Sequence, residues 1–207
     1  MKRVAVMLLT VVLCCLISQM SAATINPAVE YTSIETNYDP GPLTLGYEFT
    51  TTNTLSVNAL GYWNDGAGNA HQVGIWDTSR NLLVSTTVLA TDPVVANFQW
   101  DSITNYSLAA GTYVIGGQYL GNNDSFPVYA TGITTIAGYT WVEDRQRDGG
   151  GLQFPTLTLH GDYGNNGFLA VDFSVDEGST VPEPGSVLLA SLGLAGLAAA
   201  IRRRRAA

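Results

Sequence analysis

Side chains able to do chemistry are sparse in this 207-residue chain. It holds two histidines, His71 and His160, far apart in sequence, and its two cysteines, Cys14 and Cys15, sit together in an apolar N-terminal run. A zinc site takes three or four nitrogen or sulfur ligands, so this inventory does not point to one. No serine lies in a Gly-x-Ser-x-Gly elbow, which removes the local signature of nucleophilic hydrolysis. Asp65, Glu143, Asp144, Asp162 and Asp172 are available for paired-carboxylate chemistry. That chemistry needs two carboxyls facing each other across a groove, and no spacing singles out a pair. Hard-cation ligands are better arranged. Asn64-Asp65-Gly66-Ala67-Gly68-Asn69 and Asn122-Asn123-Asp124 carry oxygen donors on turns rich in glycine and asparagine, making Asp65, Asn69 and Asp124 candidate calcium ligands. Neither stretch has EF-hand spacing, and Asn, Asp and Gly are equally what plain turns use. No other cofactor is expected. Among the aromatics, Trp63 and Trp76 close runs whose alternate residues are apolar, which predicts core positions. Trp141, beside Glu143-Asp144-Arg145 and Gly149-Gly150-Gly151, is the ring expected to face solvent and is the candidate ligand-binding residue.

The other stretch with a chemical consequence is the end of the chain. Val181-Pro182-Glu183-Pro184 is followed by an apolar run over residues 186–201 and then by Arg202-Arg203-Arg204-Arg205. Each proline fixes its own φ and pushes the preceding residue out of the helical region, so the tripeptide is extended and accessible to a processing enzyme. A helix over the apolar run is roughly 24 Å long at 1.5 Å per residue, slightly short of a hydrocarbon core of about 30 Å. Arginine stems lying in the apolar layer close that gap. Four arginines at one end also orient the helix, since such clusters stay on the cytoplasmic side. The domain in front of the tail is then expected across the membrane. A buried amphipathic C-terminal helix would need a polar face, which this run lacks.

These three parts in this order resemble the PEP-CTERM sorting signal of Gram-negative bacteria. The resemblance implies recognition by a membrane-embedded exosortase, cleavage near Pro182-Glu183-Pro184, and transfer of the domain to the cell surface or extracellular matrix. It also implies a setting in which exopolysaccharide is often made. One departure is Gly185, where many members carry a larger or hydroxylated residue. The N-terminus reads consistently with export. Met1-Lys2-Arg3 is a basic n-region, residues 4–17 are apolar, and small residues up to Ala23 suit signal peptidase. Cys14 and Cys15 lie inside the apolar run rather than after a small residue at its end, which argues against lipidation. Cleavage after Ala22 or Ala23 would leave a mature chain without thiols or disulfides, whose fold must rest on its hydrophobic core.

What remains is acidic. Of seventeen Asp and Glu residues only Glu183 lies beyond residue 180 and none precedes residue 24, so the span between holds sixteen. Its only cations are Arg80, Arg145 and Arg147. Such a surface repels phosphate backbones and excludes nucleic acid as a partner.

The same span reads as all-β. Residues 43–50 alternate as Leu-Thr-Leu-Gly-Tyr-Glu-Phe-Thr, with apolar or aromatic side chains at every second position. Further strands are expected over residues 55–63, 73–76, 82–89, 94–100, 112–120, 126–130, 134–142, 157–160 and 168–175, separated by turn-rich segments. No helical periodicity is sustained. About ten short strands predict a two-sheet antiparallel sandwich of jelly-roll type, although spacing cannot give strand order. Leu45-Gly46-Tyr47-Glu48-Phe49, His71-Gln72-Val73-Gly74-Ile75-Trp76-Asp77 with Leu82-Leu83, and Leu108-Ala109-Ala110-Gly111-Thr112-Tyr113-Val114-Ile115-Gly116 are together similar to a β-sandwich domain of unknown function found in bacterial surface proteins.

The expected organisation is a signal peptide over residues 1–23, a β-sandwich over 24–177 and a sorting tail over 178–207, with a transmembrane helix at 186–201. The expected function is a non-catalytic role, structural or adhesive, at the cell surface or in the matrix. The expected partners are signal peptidase, an exosortase and, transiently, the inner membrane. The alternative is an exopolysaccharide-binding module, recognisable by two or more coplanar exposed rings on one face. A hydrolase would need a cleft with convergent carboxylates, or His71 beside a serine.

Overall fold

The computed structural model describes residues 24–37, 41–121, 124–159 and 169–176. The expected signal peptide, the tail, His160, Asp162 and Tyr163 lie outside the described residues. Within them the chain forms strands only: β1 (Val29–Glu30), β2 (Ser33–Asn37), β3 (Leu43–Thr51), β4 (Leu55–Trp63), β5 (His71–Asp77), β6 (Leu82–Val88), β7 (Val94–Val95), β8 (Phe98–Leu108), β9 (Gly111–Tyr119), β10 (Phe126–Thr131), β11 (Thr134–Thr135), β12 (Tyr139–Asp148), β13 (Leu157–Leu159) and β14 (Val171–Val175). A six-stranded antiparallel sheet runs β13-β12-β3-β9-β5-β6, and a four-stranded one runs β14-β4-β8-β7. Two ribbons, β1-β11 and β2-β10, complete the fold. The all-β antiparallel expectation holds, in several sheets rather than two, and the strand division is not the pair of four-stranded sheets that a jelly roll would show.

The alternation along β3 places Leu43, Leu45, Tyr47 and Phe49 in the buried core. Phe49 meets Phe173 of the opposite sheet with ring centroids 5.0 Å apart, and Tyr139 stacks on Phe49 at 5.4 Å. Gly117 lets the sheets close: a Cβ there would lie 2.4 Å from Val171 Cγ1. The outer face of the large sheet is also covered. Gly46, Gly116 and Gly74 stand side by side on β3, β9 and β5 and form a flat trough. The connection after β12 crosses it, with Leu152 over Gly74 and Pro155 over Gly116. Thr44 fixes this strap by donating to the Gly151 carbonyl at 3.3 Å and accepting from the Gln153 amide at 3.2 Å. Phe154 packs edge-on against Trp76, with the Arg80 guanidinium 5.6 Å from its ring centre. Trp76 is therefore buried on the outer side of the sheet by the strap.

Three expectations about elements need correction. β1 and β2 were not anticipated, because Ser33-Ile34-Glu35-Thr36-Asn37 carries a single apolar side chain. The strand expected at residues 94–100 is a hairpin, turning at Ala96 and Asn97 with φ of 50° and 71°. Such two-residue turns normally announce themselves with Asn-Gly or Asp-Gly, which is absent here. β8 then continues to Leu108 through polar residues exposed along their outer side. The strand expected at 134–142 breaks into β11 and β12, with the Tyr139 amide bonded to the Ile136 carbonyl across the break.

Candidate functional site

The antiparallel ladder between β5 and β9 brings two loops together: the β4–β5 connection, which carries Asp65 and Asn69, and the β9–β10 connection, which carries Asp124. The sequence-named trio thus meets at one end of the sandwich. Asp124 is wholly buried. Its Oδ1 accepts from Asn69 Nδ2, its Oδ2 accepts from the Leu120 amide at 2.8 Å, and its carbonyl takes the Tyr119 hydroxyl. Asp65 bridges the loops in the same way, accepting from the Ala67 amide at 2.8 Å and from the Ser125 amide at 3.0 Å. Each carboxylate oxygen of the two therefore already takes an N–H. Among the described residues no group of three or more His, Asp or Glu side chains is placed to hold a metal. The arrangement is that of two pinned loops.

Beneath the junction the Tyr62 ring lies parallel to His71, centroids 3.6 Å apart. Burial holds the Tyr62 phenol well above its usual range, and the charges of Asp124 and Asp65 add to that. His71 is buried, and its Nδ1 faces the Gln118 carbonyl at 2.9 Å, so that nitrogen carries the proton and donates. These contacts give His71 a structural setting in the core.

Trp141 is not the presented ring that its neighbours in sequence suggested. It pairs across the ladder with Phe49, is half-buried and packs against the main core. Its indole nitrogen is buried without a hydrogen-bond partner. A register shift between Trp141 and Glu143 turns the strand, so that Glu143 and Arg145 face outward while Asp144 is buried. Arg145 bridges Glu48 and Glu143, the latter at 2.6 Å. Of the two rings expected in the core, Trp76 is buried, though beneath the strap, and Trp63 is half-buried; Trp100 is buried as well. Among the described residues Tyr129, 46% exposed, is the single large exposed aromatic. It sits at φ 51° where the β2–β10 register slips.

Asp172 is one of the available carboxyls, and its neighbours in sequence do not signal where it lies. In β14, Val171 and Phe173 face the other sheet, so alternation turns Asp172 to the outer side. There the N-terminal segment covers it: Ile25 and Tyr31 pack on Ala59, Phe98 and Trp100. The carboxyl is fully buried, accepting from the Val29 amide at 3.2 Å and the Phe173 amide at 2.8 Å. Burial pushes its pKa well up; the two amides oppose this and the Glu30 charge adds to it. Burial also raises the phenols of Tyr31, Tyr47 and Tyr139, which feel the Asp172 charge. A carboxyl sealed in this way has no groove across which to face a second one. Nothing in residues 24–37 marks them as its cover.

Among the described residues no helix is long and apolar enough to cross a membrane, and the run at 186–201 lies outside them. The family of the PEP-CTERM protein-sorting motif matches residues 180–205. The tail is a PEP-CTERM sorting motif. The matched span holds Pro182, Glu183 and Pro184 together with Arg202, Arg203, Arg204 and Arg205. The PEP-CTERM motif marks the chain as an exported, exosortase-processed surface protein. No curated protein and no solved structure matches the chain.

Proposed function

We propose that this chain is a non-catalytic structural or adhesive protein of the cell surface or extracellular matrix. Its β-sandwich is exported by the N-terminal signal, held at the inner membrane by the 186–201 helix with the arginines inside, and released by cleavage near Pro182-Glu183-Pro184. The carrying observation is the PEP-CTERM motif at residues 180–205. The domain in front of it suits a scaffold: its interior is filled by large rings, its outer sheet face is strapped, and its loop carboxylates are tied to amides. Recognition of exopolysaccharide would call for coplanar exposed rings, and Tyr129 stands alone among the described aromatics.

Intact mass of the chain from an exosortase-bearing host tests this reading. Surface or secreted material should end close to Pro182–Pro184 and lack the four arginines. A variant with Pro182→Ala and Glu183→Ala should keep the tail and remain with membranes. Equal masses for both forms would remove the processing step, and hydrolysis of a polysaccharide by the purified domain would overturn the non-catalytic role.

A further inference from the structure

The strand edges of this domain are not treated alike. An open edge offers unpaired N–H and C=O groups to any incoming strand, and natural sheets blunt such edges with charge, proline or shortness. Three edges here are blunted. β13 has three residues and β7 two. The β14 edge is covered by residues 26–29, through the Ala28 amide on the Phe173 carbonyl at 2.8 Å and the Val175 amide on the Asn26 carbonyl at 3.0 Å. β6 is different. Leu82-Leu83-Val84-Ser85-Thr86-Thr87-Val88 is seven residues long, ends the six-stranded sheet, and among the described residues pairs only with β5. It contains no charge, no proline and no glycine; its register with β5 slips at Leu83, so the regular part of the edge is Val84–Val88. The uncharged run continues through Leu89-Ala90-Thr91. The Thr86 hydroxyl donates to Asp101 of β8, which holds the strand against the other sheet.

Exposed apolar side chains recur on β6 and on the segment that follows it. Seven large apolar side chains are exposed among the described residues, and Leu82, Leu89, Val94 and Val95 belong to β6 or to the segment leading from it through β7. What could lie there is restricted by charge. Sixteen carboxylates against three arginines make two copies of this domain repel, so copies can meet only where carboxylates are missing. β6 itself carries none, the neighbouring Asp101 being taken up by the Thr86 hydroxyl, and it is a strand edge as well.

We infer that β6 is a self-association edge: two copies pair β6 to β6, antiparallel, about a two-fold axis at Ser85, joining two six-stranded sheets into one. An isologous contact of this kind closes on itself and gives a dimer. In this register Val84 opposes Thr86 on either side of the axis, and the irregular end at Leu82 and Leu83 meets Val88 and Thr87, so every facing residue is uncharged. Main-chain hydrogen bonds supply the affinity, as in other strand additions. One strand pair buries less than the roughly 1,200 Å² of a standard interface, so the dimer is weak and forms with an affinity on the order of micromolar.

The test uses the full chain in detergent with Cys14→Ser and Cys15→Ser, which removes both native thiols. A single Ser85→Cys places two sulfurs at the axis, where opposed strand residues lie about 4.5–5.5 Å apart and a disulfide can form. Thr140→Cys, exposed on β12, reports random collision. Under mild oxidation Ser85→Cys should cross-link at least tenfold faster than Thr140→Cys. In parallel, sedimentation equilibrium should show a concentration-dependent dimer that Thr87→Lys weakens at least tenfold with an unchanged circular dichroism spectrum. Equal cross-linking rates would overturn the inference, as would association indifferent to Thr87→Lys. Neither readout depends on tail cleavage, so failure here leaves the sorting role standing.

Discussion

At Asp172 the fold holds a carboxyl out of water with two amide donors and no cation. Its folded-state pKa is raised, chiefly by burial. In the unfolded chain it ionises near 3.9. The linkage sign follows: the native state binds the proton more tightly, so its contribution to stability is complete below about pH 3.9 and is lost as pH rises through the folded value. Asp172→Asn keeps the acceptor for Val29 and cannot ionise. The difference in Tm, variant minus wild type, should therefore grow more positive between pH 4 and pH 9, by several degrees. A difference that stays flat across that window would mean the carboxyl ionises freely in the folded protein. Trp141 shows the opposite limit of residue-scale reading. Acidic and glycine neighbours suggested exposure, but ladder pairing with Phe49 and a register shift two residues on decide where the ring goes. Neither feature has a local signature.

At the scale of elements, strands whose alternation is strong were legible nearly to the residue: β3, β4, β6, β9 and β10 start or end within a residue or two of their expected limits. What escaped was polar or hidden in chain-distant packing, namely β1, β2 and the second half of β8. The loop junction is a mixed case. Turn chemistry named Asp65, Asn69 and Asp124, and β5–β9 pairing brings their loops together, yet the bonds between them are amide to carboxylate. The pinning role makes a definite prediction. Asn69→Ala leaves buried Asp124 Oδ1 short of a donor and should lower stability by about 1–3 kcal/mol in urea unfolding. Millimolar calcium or excess EDTA should move Tm of the wild type by less than a degree. A calcium-dependent rise that Asn69→Ala abolishes would instead make the junction a cation site.

For the molecule as a whole, the two ends of the mature domain lie together, since residues 26–29 run along β14 and β14 is the last described strand before the tail. Were the domain tethered through β14 as proposed, its first residues would lie beside the same anchor. On the proposed anchoring, orientation across the membrane would rest on Arg202, Arg203, Arg204 and Arg205, because an apolar run alone has no preferred direction. Replacing all four by glutamate would then remove the inward bias and the long stems that reach the interface. The variant should lose membrane retention before cleavage, with the Pro182-Glu183-Pro184 site intact yet less cleaved, and full-length protein should shift from the membrane to the soluble exported fraction on ultracentrifugation. Lysine at the same four positions keeps charge and stem length and should restore both retention and cleavage. Should the glutamate variant fractionate and mature like the wild type, the arginines would not set the topology, and the apolar run alone would have to hold the chain.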